Sequence, residues 1–219
     1  MPLRTVLAFA TTLAACATAH AQVNVATVLP RDREIELATA AAPPDVGGKA
    51  AVYVFTSRGY EKARDGENGF TCLVNRDSEL EGYHVLKPTC WDAHGSRTIV
   101  PAIIEIGKRR AAGQSVADVT AGIRQLIKDG KLQLFDKVGV AYMLQGDVSD
   151  YDAASGKILN RRFPPHVMIY APGITPSDIG IAGRAAFSDV RAPLIYESVT
   201  GYRYMVVRVA TAQGATTPH

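Results

Sequence analysis

The residues best equipped for chemistry are few: Cys72, Cys90, His84, His94, His166 and the acids around them. A Cys–His pair, with Cys72 as nucleophile and His166 as base, is the sharpest enzymatic idea. Such a nucleophile must be a thiolate, held by a helix N-terminus or a neighbouring cation. Cys72 instead sits inside the β-like run Phe70-Thr71-Cys72-Leu73-Val74, so a structural role is preferred. Cys90, Asp92 and His94, with His84 nearby, have metal-like spacing on a strand. The same residues also spell a tight turn whose Asp and Gly bind their own backbone, and the expectation is no metal and no cofactor. Asp147, Asp150 and Asp152 fail the calcium-loop template, which needs a glycine at the sixth position and a glutamate at the twelfth. There is no G-x-S-x-G elbow, phosphate loop, dinucleotide fingerprint or c-type haem motif.

His166 remains. It follows Pro164-Pro165 and opens the run His166-Val167-Met168-Ile169-Tyr170, in which His166, Met168 and Tyr170 share one face of a strand. A histidine beside a tyrosine can bind a ligand or move a proton. Arg64 and Asn68, on the hairpin loop around Asp65 to Phe70, are the other candidate binding groups, since loops hold such groups without disturbing a core. The expected ligand-binding set is therefore Arg64, Asn68, His166 and Tyr170, with no catalytic residue assigned.

The first 21 residues set the compartment. Arg4 is a positive start, Val6 to Leu13 a short apolar core, and Ala19-His20-Ala21 an A-x-A cleavage site. A mature chain beginning at Gln22 would be periplasmic or secreted. Leu13-Ala14-Ala15-Cys16 also has the form of a lipobox, so a lipid anchor at Cys16 in the outer envelope is the alternative. Cleavage at Gln22 removes one of the three cysteines. Cys72 and Cys90 are left, and an even pair in an oxidising compartment is most simply a disulfide.

Of the 219 residues, 198 remain after the signal, enough for one domain with a sizeable core. The formal charge of +3 falls to +2 with the loss of Arg4, too mild to argue for nucleic acid. No apolar run after the signal is long enough to span a bilayer. Lys108-Arg109-Arg110 and Arg161-Arg162 read as a solvated helix end and a hairpin flank.

These residues need a scaffold. Residues 31–42 have helical composition and end at Pro43-Pro44; with the Pro/Gly linker they form an N-terminal segment over 22–49. Ala51 to Phe55 reads as a central strand, residues 58–69 as a charged loop with two turn signals, and Phe70 to Val74 as the returning strand. Residues 75–88 read as a loop. Cys90 to Gly95 and Asp150 to Gly156 both look like hairpin tips. Ile99, Ile103 and Ile106 mark one helix; Ser115 with Asp118 caps a second, which Gly130 ends. Strands return at 139–145, 167–170 and 202–209, with a short helical turn after Thr175-Pro176. The expectation is a single α+β domain over 50–210, an antiparallel sheet with two central helices and one disulfide, then a disordered tail over 211–219.

Three blocks carry a resemblance: Gly66 to Val74, Pro88-Thr89-Cys90, and Pro164 to Pro172. Together they resemble a group of exported bacterial proteins of unknown function, over roughly residues 34 to 180. The resemblance implies export and no activity. The functional expectation is a non-enzymatic domain binding a small ligand or an envelope partner. The alternative is a hydrolase-like enzyme using His166 with a carboxylate or the Cys72 thiol.

Overall fold

The structure, a computed structural model, describes residues 25–181 and 192–209. The expected signal peptide over 1–21, the expected lipobox at Cys16 and the expected tail over 211–219 lie outside the described residues. Helix α1 (Arg31–Thr39) and the short α2 (Pro44–Gly47) precede strands β1 (Ala51–Thr56), β2 (Gly59–Arg64) and β3 (Thr71–Asn75). A 3-10 turn (Asp77–Glu81) leads to β4 (Lys87–Trp91), and helices α3 (Ala93–Ala111) and α4 (Val116–Lys128) follow. Then come β5 (Val140–Met143), the hairpin β6 (Asp147–Asp152) and β7 (Lys157–Phe163), and β8 (His166–Tyr170). A second 3-10 turn (Pro176–Ile179), β9 (Leu194–Glu197) and β10 (Arg203–Arg208) complete the described chain.

Eight strands form one sheet in the order β2-β1-β3-β4-β5-β8-β10-β9, and β6 and β7 pair separately. Every neighbouring pair in the sheet is antiparallel except β1 with β3. The fold is therefore α+β, as the segment order implied. The alternation of side chains gives the sheet two different faces. Val52, Cys72, Val74 and Cys90 pack under α1, against Leu37, Ala38 and Ala41. Leu73, Trp91, Met143, Met168 and Tyr204 face the opposite way, toward Ile99, Ala102 and Ile103 of α3. Helix α4 covers α3 from outside through Val119 and Ile123, which meet Ile106.

Four local expectations are corrected. The returning strand after β1 is β2, not the run from Phe70. A tight turn closes that hairpin: Thr56 Oγ1 donates to the Gly59 carbonyl (2.9 Å) and accepts from the Arg58 N–H (3.1 Å). Gly59 takes a φ of 104°, which a side chain would resist. Strand β2 looked like a loop because it is an edge strand, where charges such as Glu61, Lys62 and Arg64 are tolerated. Residues 75–88 are more ordered than a loop: Ser78 Oγ donates to the Val85 carbonyl (2.8 Å) and accepts from its N–H.

Cys90 to Gly95 is no hairpin tip. Strand β4 already has β3 and β5 as neighbours, so the chain cannot fold back beside it. Instead Asp92 caps α3, accepting from the N–H groups of His94 (3.0 Å) and Gly95 (2.8 Å). The helix thus begins six residues before Ile99. Gly95 is required here by contact, since a Cβ would lie 2.1 Å from the Tyr170 hydroxyl. Finally, 139–145 and 167–170 do not merely flank the Asp150–Gly156 hairpin; β5 and β8 pair with each other, Met143 opposite His166.

Candidate functional site

Cys72 and Cys90 face one another across β3 and β4 and are joined by a disulfide. Both are fully buried on the α1 face. Cys72 therefore has no free thiol, and it lies on the face of the sheet away from His166. Cys90, in turn, is unavailable to a metal, and Asp92 is committed to the helix cap and to the Val140 N–H (2.9 Å). Among the described residues, no group of three or more His, Cys, Asp or Glu side chains is placed to hold a metal.

The α3 face of the sheet carries a cavity of about 510 Å³ that is open to solvent. Its walls follow from two periodicities. Lys87, Thr89 and Trp91 alternate along β4, as do His166 and Met168 along β8 and Tyr204 and Val206 along β10. Ile99, Ala102, Ile103 and Ile106 recur at helical spacing along α3 and close the opposite side. Tyr196 of β9 stacks on Tyr204, with ring centroids 6.1 Å apart. Trp91 is 2% exposed, and its indole N–H has no hydrogen-bond partner among the described residues. Burial, and neighbouring acids after it, raise the Tyr196 and Tyr204 hydroxyls far above their ordinary pKa, so these walls stay uncharged.

One end of the cavity is polar. Lys87 and Asp77 form an ion pair there, both largely shielded from solvent. Burial opposes the Lys87 ammonium, yet Asp77, Tyr83 and Asp147 outweigh it and hold its pKa above the ordinary value. Burial pushes the Asp147 carboxyl up to about 6, against the attraction of Lys87 and Arg162. The Arg162 guanidinium lies over the Tyr83 ring, 4.5 Å from its centroid. His166, 4% exposed, sits edge-on to Phe163. Its Nδ1 is 2.8 Å from the Pro164 carbonyl, an oxygen that can only accept, so Nδ1 carries the proton and Nε2 presents a lone pair. Burial pulls the His166 pKa down to about 4, and the ring is neutral at physiological pH.

Of the four expected binding residues, only His166 lines this cavity. Tyr170 shares its strand and face but is fully buried at the other end, donating to Asp92 Oδ1 (3.0 Å) and the Val140 carbonyl (2.9 Å). Arg64 donates to the carbonyls of Gly47 and Ala50, and Asn68 to that of Val46. Both tie the β2 edge to α2, and β1, β3, β4 and β5 separate that edge from β8. The sequence reading missed Lys87, Asp77, Asp147, Trp91 and Arg162. Alternation of Lys87 with Trp91 along β4 was a usable signal. Arg161 and Arg162 are both exposed on β7, in keeping with a solvated hairpin flank; Arg162 also borders the cavity, and Arg161 donates to the Gln145 carbonyl (2.7 Å).

Ser198 and Thr200 line the cavity, but their hydroxyls bond each other (3.0 Å). Among the described residues, His166 bonds no hydroxyl, thiol or carboxylate. Among these residues, too, no helix is long and apolar enough to cross a membrane. No family model, no curated protein and no solved structure matches this chain.

Proposed function

We propose that this is an exported domain that binds a small, mainly apolar molecule in the cavity between the sheet and α3. The observation that carries the reading is the cavity itself: aromatic and aliphatic walls of ligand-accommodating size, with a few polar groups gathered at one end. The buried Trp91 N–H, which has no partner among the described residues, supports it, since buried polar groups ordinarily find partners. The buried disulfide supports an oxidising compartment.

Trp91 is the only tryptophan of the chain, so its fluorescence reports on the cavity. N-phenyl-1-naphthylamine, an uncharged dye that brightens in apolar surroundings, is expected to bind saturably at one site and to quench Trp91. Ala102→Phe places a ring in the cavity and should weaken the dye at least about tenfold, or about 1.4 kcal/mol. A thermal melt checks that the variant still unfolds cooperatively. Absence of dye binding, or undiminished binding in a folded variant, refutes the reading.

Export has its own test. Mass spectrometry of the protein from the envelope fraction is expected to find Gln22, or its cyclised form, at the N-terminus. A diacylglyceryl Cys16 would establish the anchored alternative, and an intact signal in the cytoplasm would remove export altogether.

A further inference from the structure

The polar end of the cavity narrows what its occupant can be, an inference that rests on the cavity being a binding site. Two cations and two carboxylates meet there, and their formal charges cancel. Lys87 is neutralised by Asp77, and Arg162 lies against the Tyr83 ring. Lys87 and Arg162 favour the charged Asp147 carboxylate and Asp77 opposes it, and all four line the cavity. An acid entering this balanced cluster meets Asp77 and Asp147; an amine meets Lys87 and Arg162. Either must also shed its water, and a buried charge without a dedicated partner is strongly disfavoured. An uncharged guest avoids both costs.

Hydrogen bonding adds the second constraint. Two acceptors lining this end take no hydrogen bond from a protein donor among the described residues: the Asp147 carboxylate and the lone pair at His166 Nε2. A hydroxyl supplies that donor without bringing charge. The remaining walls are flat: Trp91, Tyr196 and Tyr204 offer ring faces and edges, which favour a planar skeleton. We propose that the cavity selects an uncharged, planar, hydroxyl-bearing molecule of the phenol class, its hydroxyl donating to the acceptors at the Asp147–His166 end.

A matched series on one skeleton tests this by isothermal titration calorimetry on the mature protein at neutral pH: naphthalene, 2-naphthol, 2-naphthoate and 2-naphthylmethylammonium. The expected result is 2-naphthol binding at least about tenfold tighter than each of the other three. His166→Phe keeps an aromatic ring while removing an acceptor, and the naphthol-to-naphthalene affinity ratio should fall toward one. Should that variant fail to fold, Asp147→Leu removes the other acceptor and should lower the same ratio. Tightest binding by the acid or the amine, equal binding by all four, or a ratio unmoved in a folded variant overturns the selectivity and leaves the cavity reading standing. Binding by none of the four overturns both.

Discussion

Replacing Arg76 with alanine is expected to cost about 3–5 kcal/mol of stability, the typical loss when one member of a buried ion pair is removed. Arg76 Nη2 lies 2.6 Å from Glu34 Oε2, and the two side chains are 4% and 0% exposed. Arg76 also donates to the Val25 carbonyl (3.1 Å) and covers the Phe55 ring, so it joins the N-terminal segment to β1 and β3. Without it, Glu34 keeps one weak donor, the Phe55 N–H at 3.4 Å. Burial already raises the Glu34 pKa against the pull of Arg76, and the variant removes the larger part of that pull. A carboxyl whose folded pKa lies above its unfolded value loses stabilisation as pH rises through that folded pKa. The deficit of Arg76→Ala should therefore be larger near about pH 8 than near about pH 5, read by denaturant unfolding at both. The pair Glu34→Leu and Arg76→Met leaves no lone charge and should cost less than Arg76→Ala alone. A deficit independent of pH would mean that Glu34 is not the group left stranded.

What the sequence made legible was periodic or countable. The face shared by His166 and Met168 followed from alternation, and helix α4 from its stripe and its Ser115 cap. The disulfide followed from an even pair of cysteines left once an export signal was expected at the N-terminus. What stayed hidden was non-local. Strand β3 lies parallel to β1 because a charged edge strand, β2, intervenes in sequence, and nothing in the Phe70–Val74 run distinguishes the two directions. The Asp-x-x-Gly of β4 and α3 serves a turn or a helix cap equally well, and only strand neighbours decide which. Arg64 and Asn68 looked like binding groups because they are polar loop residues; their partners are backbone carbonyls around α2, which no residue type announces. The cavity was least visible of all. Asp77, Lys87, Asp147 and His166 are each ordinary in context, and only the tertiary placement of the Asp77–Glu81 turn, β4, β6 and β8 brings them to one end of one space.

Removal of the disulfide is the other large effect. Cys72 and Cys90 are 18 positions apart, so the bond closes a loop of 17 residues and should contribute about 3 kcal/mol through the unfolded chain. For a domain of this size that is a melting temperature lower by about 6–12 °C. Cys72→Ala and Cys90→Ala should fall by similar amounts, since either removes the same cross-link. The double replacement should fall little further, since the cross-link can be lost only once. Alanine is the proper test, because a serine hydroxyl would be buried beneath α1 and add a cost of its own. The effect bears on the cavity as well. The bond fixes β4 on β3 from behind, and Lys87, Thr89 and Trp91 project from the opposite face of that strand. Both sulfurs are fully buried, so reductant alone should leave the folded protein oxidised, and reduction should require denaturant. Thiol counting with and without denaturant reads this directly. One alanine variant left neutral while the other is severely destabilised, or ready reduction of the native protein, would contradict this account of the cross-link.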